Sequence, residues 1–250
     1  MKAVILAAGK GTRMRELTAS LPKPMLRVKG KPILEHIVDG IVSAGIHQIC
    51  IVIGWQGNVI QQYFENNPRK DAEVQFAIQH VQDGTGKAPE PARRFVGQDH
   101  FLLTYGDILV RPDTYSQMIK RFKDGNFSGV ITVTAGEDVS KGAINFFDSD
   151  FCLAKIVEKP SPADLDRLKN EGWLKPGTPA WYNAGIYIFP PSLFEFTARL
   201  KKSPRGEYEL TDAIAEMVAF GHRLAGFVIQ GRWVDVRDPI VLAELEKTAL

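Results

Sequence analysis

The run Val4-Ile5-Leu6 breaks directly into a turn carrying Gly9 and Gly11, and this junction narrows the fold more than any other stretch of the chain. Consecutive apolar residues with no polar alternation read as a strand buried on both faces, as in parallel sheets covered by helices. Glycines at its exit let the backbone approach an oxyanion closely and turn several N–H groups toward it, which makes the turn a candidate phosphate loop. Arg13, and Lys23 between Pro22 and Pro24, can add the charge that bare amides lack. A tight strand-to-helix turn would account for one glycine, but not for two glycines, an arginine and a lysine between prolines. Two familiar phosphate loops are excluded by spacing. One needs a lysine immediately before a hydroxyl residue, and the dinucleotide fingerprint needs a third glycine where this chain has Met14.

The remaining sequence alternates strand-like and helix-like patterns, the mark of a mostly parallel sheet with helices on both faces. Ile33, Leu34, Ile37, Ile41 and Val42 fall at helical spacing, Gly45 follows as a stop, and Gln48 to Gly54 is the next buried strand, completing a βαβ unit. A helix is expected around Val59 to Glu65, a strand from Val74 to Ile78, a Gly/Pro-rich loop from Asp83 to Pro91, and a strand that ends at Asp107. Pro112 suits the first turn of the helix after it. Further strands are expected at Val130 to Val133, Ala143 to Phe147, Leu153 to Val157 and Gly185 to Phe189, then a C-terminal helix capped by Asp238 beside Pro239. The 250 residues, 44% of them hydrophobic, suffice for a substantial core and fit one α/β domain with room for a small appendage.

Ligands of an open α/β sheet sit outside the carboxyl ends of its strands. Asp107 closes FLLTYGD, and Asp235 leaves an apolar segment between Val234 and Val236. Each alone reads equally well as a capping or turn residue. Together with the N-terminal loop they read as a pair holding Mg2+, which is commonly bound by one or two carboxylates plus substrate phosphates.

LAAGKGTRM followed by PKPM closely resembles the N-terminal signature of the sugar-phosphate nucleotidylyltransferases, which join a sugar 1-phosphate to a nucleoside triphosphate. The resemblance implies a Rossmann-like, GT-A-like domain over residues 1–250, with a nucleotide-binding half to about residue 110 and a sugar-binding half with the second metal ligand beyond it. It implies that Leu6, Ala7, Ala8, Gly9, Gly11, Thr12, Arg13 and Lys23 bind the nucleotide, with Tyr105 and Gly106 on the next strand. It assigns Mg2+ to Asp107 and Asp235. QHVQDGTG resembles the family's base-recognition segment, in which the Gln79 amide and the Gly84 backbone would read a pyrimidine edge, with Thr85 also expected at the nucleotide; an amide offers one donor and one acceptor in a plane, as uracil and thymine require. Gln82 and Asp83 read as polar loop residues. KGAINF, IVEKP and YNAGIYIF resemble the sugar side: Gly142 for close backbone approach, Glu158 and Asn183 for hydroxyls, Lys159 for the sugar phosphate. Arg13, Lys23, Asp107 and Lys159 would carry catalysis.

UTP is the first-choice nucleotide and dTTP the second; the sugar is not readable. A cytidylyl- or guanylyltransferase of another phosphorylated acceptor, or a non-catalytic nucleotide-sugar sensor, stand as alternatives. The net charge of +2 argues against non-specific nucleic-acid or membrane binding. The uncharged stretch Ile41 to Phe64 is too polar to span a bilayer, and the N-terminal apolar run stops at Ala8 without a cleavage-like site, so a cytoplasmic protein, able to form homo-oligomers, is expected. Cys50 and Cys152 sit in apolar runs and read as core thiols. The five histidines show no ligand spacing, and no hexapeptide repeat is present, so no acetyltransferase half is expected. Three departures from the family pattern stand out: Arg237-Asp238 where a glycine and a small residue are more common, the prolines of GKAPEP, and a long connection from Ser161 to Tyr182.

Overall fold

A computed structural model describes residues 1–11, 14, 17–18 and 20–247. In chain order, β1 (Lys2–Ala7) precedes a hairpin, β2 (Arg27–Val28) and β3 (Lys31–Pro32), then α1 (Ile33–Ser43), β4 (Gln48–Ile53), α2 (Gly57–Asn66) and β5 (Glu73–Ile78). The short α3 (Arg93–Val96) precedes β6 (Phe101–Tyr105), β7 (Ile108–Val110), α4 (Asp113–Lys123) and β8 (Gly129–Thr134). The second half holds β9 (Ala143–Phe147), β10 (Leu153–Glu158), α5 (Pro162–Asn170), β11 (Trp181–Phe189), α6 (Leu193–Arg199) and α7 (Leu210–Ala219). It closes with β12 (Leu224–Val228), β13 (Trp233–Asp235) and α8 (Pro239–Lys247).

The main sheet runs β10-β9-β11-β6-β1-β4-β5, with β8 joining β11 to β12. β5, β4, β1 and β6 are parallel, while β11 runs antiparallel to β6, β8 and β9. This is the α/β architecture expected from the sequence. The reason lies in the alternation along the central strands. Ala3, Ile5 and Ala7 of β1, with Ile49, Ile51 and Ile53 of β4, face a core shared with α1, α2, α4 and α8. Val4 and Leu6, with Cys50 and Val52, face the opposite core beneath α3, α6 and α7. Both faces are dry, so neither can be polar, and such strands read as unbroken apolar runs. Both thiols are buried, and burial pushes Cys50 up to about 11.

Asp238 caps α8 as expected, its Oδ1 accepting from the N–H groups of Ile240 (2.9 Å) and Val241 (3.0 Å). One expectation needs correction, and the structure adds elements at two places. Asp107 does not end β6 but stands in the short turn between Tyr105 and β7. The Ser161–Tyr182 connection contains α5, started by a capping box in which Ser161 Oγ accepts from Asp164 N and Asp164 returns to Ser161 N. It covers a small satellite core of Ile144, Phe146 and Leu168. Helices α6 and α7 and strand β12 fill a region for which the sequence pattern predicts no elements. Among the described residues no helix is long and apolar enough to cross a membrane.

Candidate active site

The loop leaving β1 is tied to both neighbouring strands. Gly106 N donates to Leu6 O (2.8 Å), and Trp55 N donates to Ala8 O (3.1 Å). These bonds hold Leu6, Ala7, Ala8, Gly9 and Gly11 along one wall of a cavity of about 400 Å³. Lys23 and Pro24, from a single 3-10 turn, form the next wall, with Gln79, Gly84, Thr85, Tyr105, Gly106 and Asp107 opposite and around them. Every described residue expected to bind nucleotide therefore lines one cavity; Thr12 and Arg13 lie outside the described residues. Gln79 is 7% exposed, its backbone N–H is anchored on Ile53 O (2.8 Å), and its side-chain amide has no hydrogen-bond partner among the described residues. Gln82 is exposed, and its side chain donates to the Gln79 carbonyl (2.9 Å), a loop-building role as read from the sequence. Gly84 has φ +130° and lies so close to the chain at Tyr208 that a Cβ would sit 2.2 Å from Tyr208 O, a position only glycine can hold.

A second cavity, of about 230 Å³, is lined by Gly142, Glu158, Lys159 and Asn183, the four residues expected on the sugar side, together with Tyr182, Glu209, Thr211 and Trp233. Asn183 is placed by a bulge in β11, where the register against β8 slips between Asn183 and Tyr187. Gly185 sits in that bulge at φ +77°, its N–H bonded to Asn183 Oδ1 (3.2 Å), and the buried Thr132 hydroxyl bridges to Ile186 O (2.7 Å) where the ladder is interrupted. Lys159 stands at φ +40°, held by its N–H donating to Gly142 O (2.9 Å). A left-handed lysine is the kind of local strain found where a side chain must be aimed.

Glu158 accepts from Thr211 Oγ1 (3.2 Å), and its other oxygen lies 3.7 Å from Lys159 Nζ and 4.0 Å from Arg205 Nη2. Burial holds its carboxyl above the usual glutamate range against the pull of Lys159, and the neighbouring Glu209 charge adds to the rise. Glu209 itself is satisfied by Arg205 Nη2 (2.9 Å) and Ser203 Oγ (3.2 Å). Tyr182 is pushed up to about 12 by burial, with the Asp235 carboxylate next in effect.

The two cavities meet along Thr85, Tyr105, Asp107 and Glu207, which line both. Asp235 reaches this seam because β13 pairs antiparallel with β7, setting Asp235 opposite Ile108 and tying Val236 N to Asp107 O (3.0 Å). Lys23 Nζ donates to Asp107 Oδ2 (2.6 Å) and lies 3.7 Å from Asp235 Oδ1. Two partly buried carboxylates thus converge on one cationic point. Their hard oxygen atoms suit Mg2+, whose remaining positions substrate phosphates and water would fill; among the described residues no three His, Cys, Asp or Glu side chains converge to enclose a metal.

A family model for nucleotidyl transferases matches residues 2–248. The chain belongs to this family. It is 32% identical over 239 residues to the bifunctional protein GlmU of Methanococcus maripaludis, covering 96% of this chain and 52% of that protein, so the chain spans about half the length of such curated relatives. It is 28% identical over 241 residues to the UTP–glucose-1-phosphate uridylyltransferase AglF of Haloferax volcanii, covering 96% and 92% of the two chains. The solved structure of a UDP-glucose pyrophosphorylase with UDP-glucose superposes with a TM-score of 0.83 at 22% identity over 98% of this chain and 97% of that one, which establishes the shared fold.

The sequence reading missed the nucleotidyltransferase's closing segment, Arg205 to Thr211. Its backbone clasps the Asp83–Gly86 loop through Tyr208 N to Asp83 O (2.9 Å) and Gly86 N to Tyr208 O (2.8 Å), while Leu210 N donates to Thr85 Oγ1 (3.1 Å). Glu207, Glu209 and Thr211 from this segment line the second cavity. A signal was present in the dense charged and hydroxyl residues of SPRGEYELTD, which precede an apolar helical pattern without themselves suiting a core.

Proposed function

We propose that this nucleotidyltransferase transfers a nucleoside monophosphate, from UTP first and dTTP second, to a sugar 1-phosphate and releases pyrophosphate. The observation that carries the reading is the pair of cavities joined at Asp107: one runs along the β1 loop, where a nucleotide would lie, and the other is lined by Lys159, where the phosphate of a sugar would sit. The name of the relative AglF, which this chain matches over nearly its full length, supports a uridylyl donor and a hexose 1-phosphate acceptor.

A sugar 1-phosphate is already an anion at neutral pH, so its oxygen can attack the α-phosphorus without a general base. The new P–O bond forms as the bond to the bridging oxygen of the β-phosphate breaks, and pyrophosphate carries away the electron pair. The obstacle is charge, and catalysis consists of positioning and cationic stabilisation. In this reading the Gly9 and Gly11 segment and Arg13 hold the β- and γ-phosphates, Lys159 holds the acceptor phosphate, and Glu158 and Asn183 bind sugar hydroxyls. Lys23, paired here with the two aspartates, turns to the α-phosphate when the donor arrives. Mg2+ on Asp107 and Asp235 would neutralise charge between the two substrates.

The test is pyrophosphate release across a matrix of nucleotides and sugar 1-phosphates with Mg2+. UTP or dTTP with a hexose 1-phosphate should give the highest rate. Release only with CTP or GTP would move the reading to another acceptor class, and no release with any pair would favour a sensor.

A further inference from the structure

Arg237 departs from the family pattern, and the structure places it where that departure has chemical consequences. It follows β13 two residues after Asp235, and its side chain is 24% exposed. It lines the nucleotide cavity but not the acceptor cavity, whereas Asp235 lines only the latter. Its guanidinium is held from behind: Nη2 donates to Glu137 Oε2 (3.0 Å), and Nε lies 3.9 Å from Asp235 Oδ2. The other oxygen of Asp235 faces Lys23 Nζ at 3.7 Å. Arg237 is therefore one carboxylate away from Lys23, at the phosphate end of the cavity and not at the end bounded by Gln79 and Gly84.

Resting on the reading of the first cavity as the nucleoside triphosphate pocket, we propose that Arg237 is a substrate-binding residue of this chain, its guanidinium engaging the donor's phosphates while Glu137 keeps it oriented. Lys23 and Arg237 are the cationic side chains among the described residues lining that cavity, and Lys23 is already paired with two carboxylates. Beside the Arg13 and Mg2+ of the proposed reaction, Arg237 would add a further positive charge from the described wall of the cavity. A guanidinium presents several donors in a rigid fork matched to phosphate oxygens, so part of the fork can stay on Glu137 while the rest turns to the ligand.

The experiment measures UTP, UMP and inorganic pyrophosphate binding by calorimetry in Mg2+ buffer, for wild type, Arg237→Ala, Arg237→Lys and Glu137→Gln, with thermal melting as a control for folding. Arg237→Ala should weaken UTP and pyrophosphate by about 10- to 100-fold, as expected for loss of a charge-assisted contact. UMP, with a single phosphate, should weaken less, and Arg237→Lys should recover part of the loss. Glu137→Gln should retain binding within a few-fold. In turnover, the KM for nucleotide should rise while the KM for sugar 1-phosphate stays within about twofold. Unchanged UTP affinity in Arg237→Ala, a Glu137→Gln variant as weak as Arg237→Ala, or equal losses for both substrates would overturn the proposal. Wild type that binds UTP but releases no pyrophosphate would refute the proposed reaction while leaving the binding comparison readable.

Discussion

Lys159 combines local strain with the proposed contact to the acceptor phosphate, and the two can be separated with a pair of variants. Its backbone stands at φ +40°, where a side chain costs on the order of 1 kcal/mol relative to glycine. Lys159→Gly and Lys159→Ala both delete the ammonium and with it the 3.7 Å pairing with Glu158, so whatever that pair contributes cancels in the comparison. The pair is worth less than about 1 kcal/mol in any case, because the lysine side chain is 35% exposed and solvent screens it. What remains is the backbone. Glycine occupies the left-handed region freely and alanine does not, so the glycine variant should be the more stable by about 1 kcal/mol, net of its larger unfolded-state entropy. For a chain of this size that corresponds to about 2–4 °C in melting temperature, readable by calorimetry or circular dichroism. In steady-state kinetics the two variants should match each other. The KM for sugar 1-phosphate should rise by about 10- to 100-fold while that for nucleotide changes little, since only the acceptor loses a charge-assisted hydrogen bond. A glycine variant that melts at or below the alanine variant would refute the strain argument. Equal KM increases for both substrates would move the ammonium to the triphosphate or to the fold.

Asp107→Asn or Asp235→Asn should lower turnover by on the order of a hundredfold or more with the melting temperature little changed, because metal charge stabilisation is worth several kcal/mol; near-normal rates at saturating Mg2+ would remove the aspartates from the metal site. Gln79→Ala should narrow the preference for UTP over CTP by weakening UTP, each lost buried hydrogen bond costing about 1–3 kcal/mol, and competition kinetics with the two nucleotides would detect it. Glu158, with its carboxyl raised by burial, stabilises the fold less once ionised: its contribution is intact below the ordinary glutamate value and is lost as pH rises through the folded-state value. Glu158→Gln should therefore gain stability relative to wild type across that window and lose sugar 1-phosphate affinity. A stability difference that does not grow with pH would contradict the assignment.

The first half of the chain was legible because its physics is local. β1 and β4 are buried on both faces and must be apolar throughout, and the loop after β1 carries its glycines and charges within a few residues. Gly142, Glu158, Lys159 and Asn183, assigned to the sugar side by motif order alone, all line the second cavity. The capping box Ser161-Asp164 with Pro162 was a readable helix start, but α5 buries only Leu168 fully and so carries little apolar periodicity. β12 carries Gly226 at its centre, against which Phe147 and Phe151 pack closely, and a short apolar run broken by a glycine reads as loop in sequence. The seam itself is non-local. Asp107 and Asp235 meet through the pairing of β7 with β13, three residues each, too short to leave a pattern.

The departure at Arg237-Asp238 lies in the segment between β13 and α8. Asp238 starts α8 through two backbone hydrogen bonds, a role the sequence reveals because a cap acts on its own neighbours. Arg237 acts on Glu137, a hundred residues earlier in the chain, and on a cavity wall built from β1 and the turn at Lys23. One dipeptide thus holds a local residue and a distant one, and only the local one announces itself in the sequence. The general consequence is that a departure from a family motif beside a metal-ligand candidate is best tested as a ligand contact in its own right, because the segment that carries it is already fixed at the site by the carboxylate next to it.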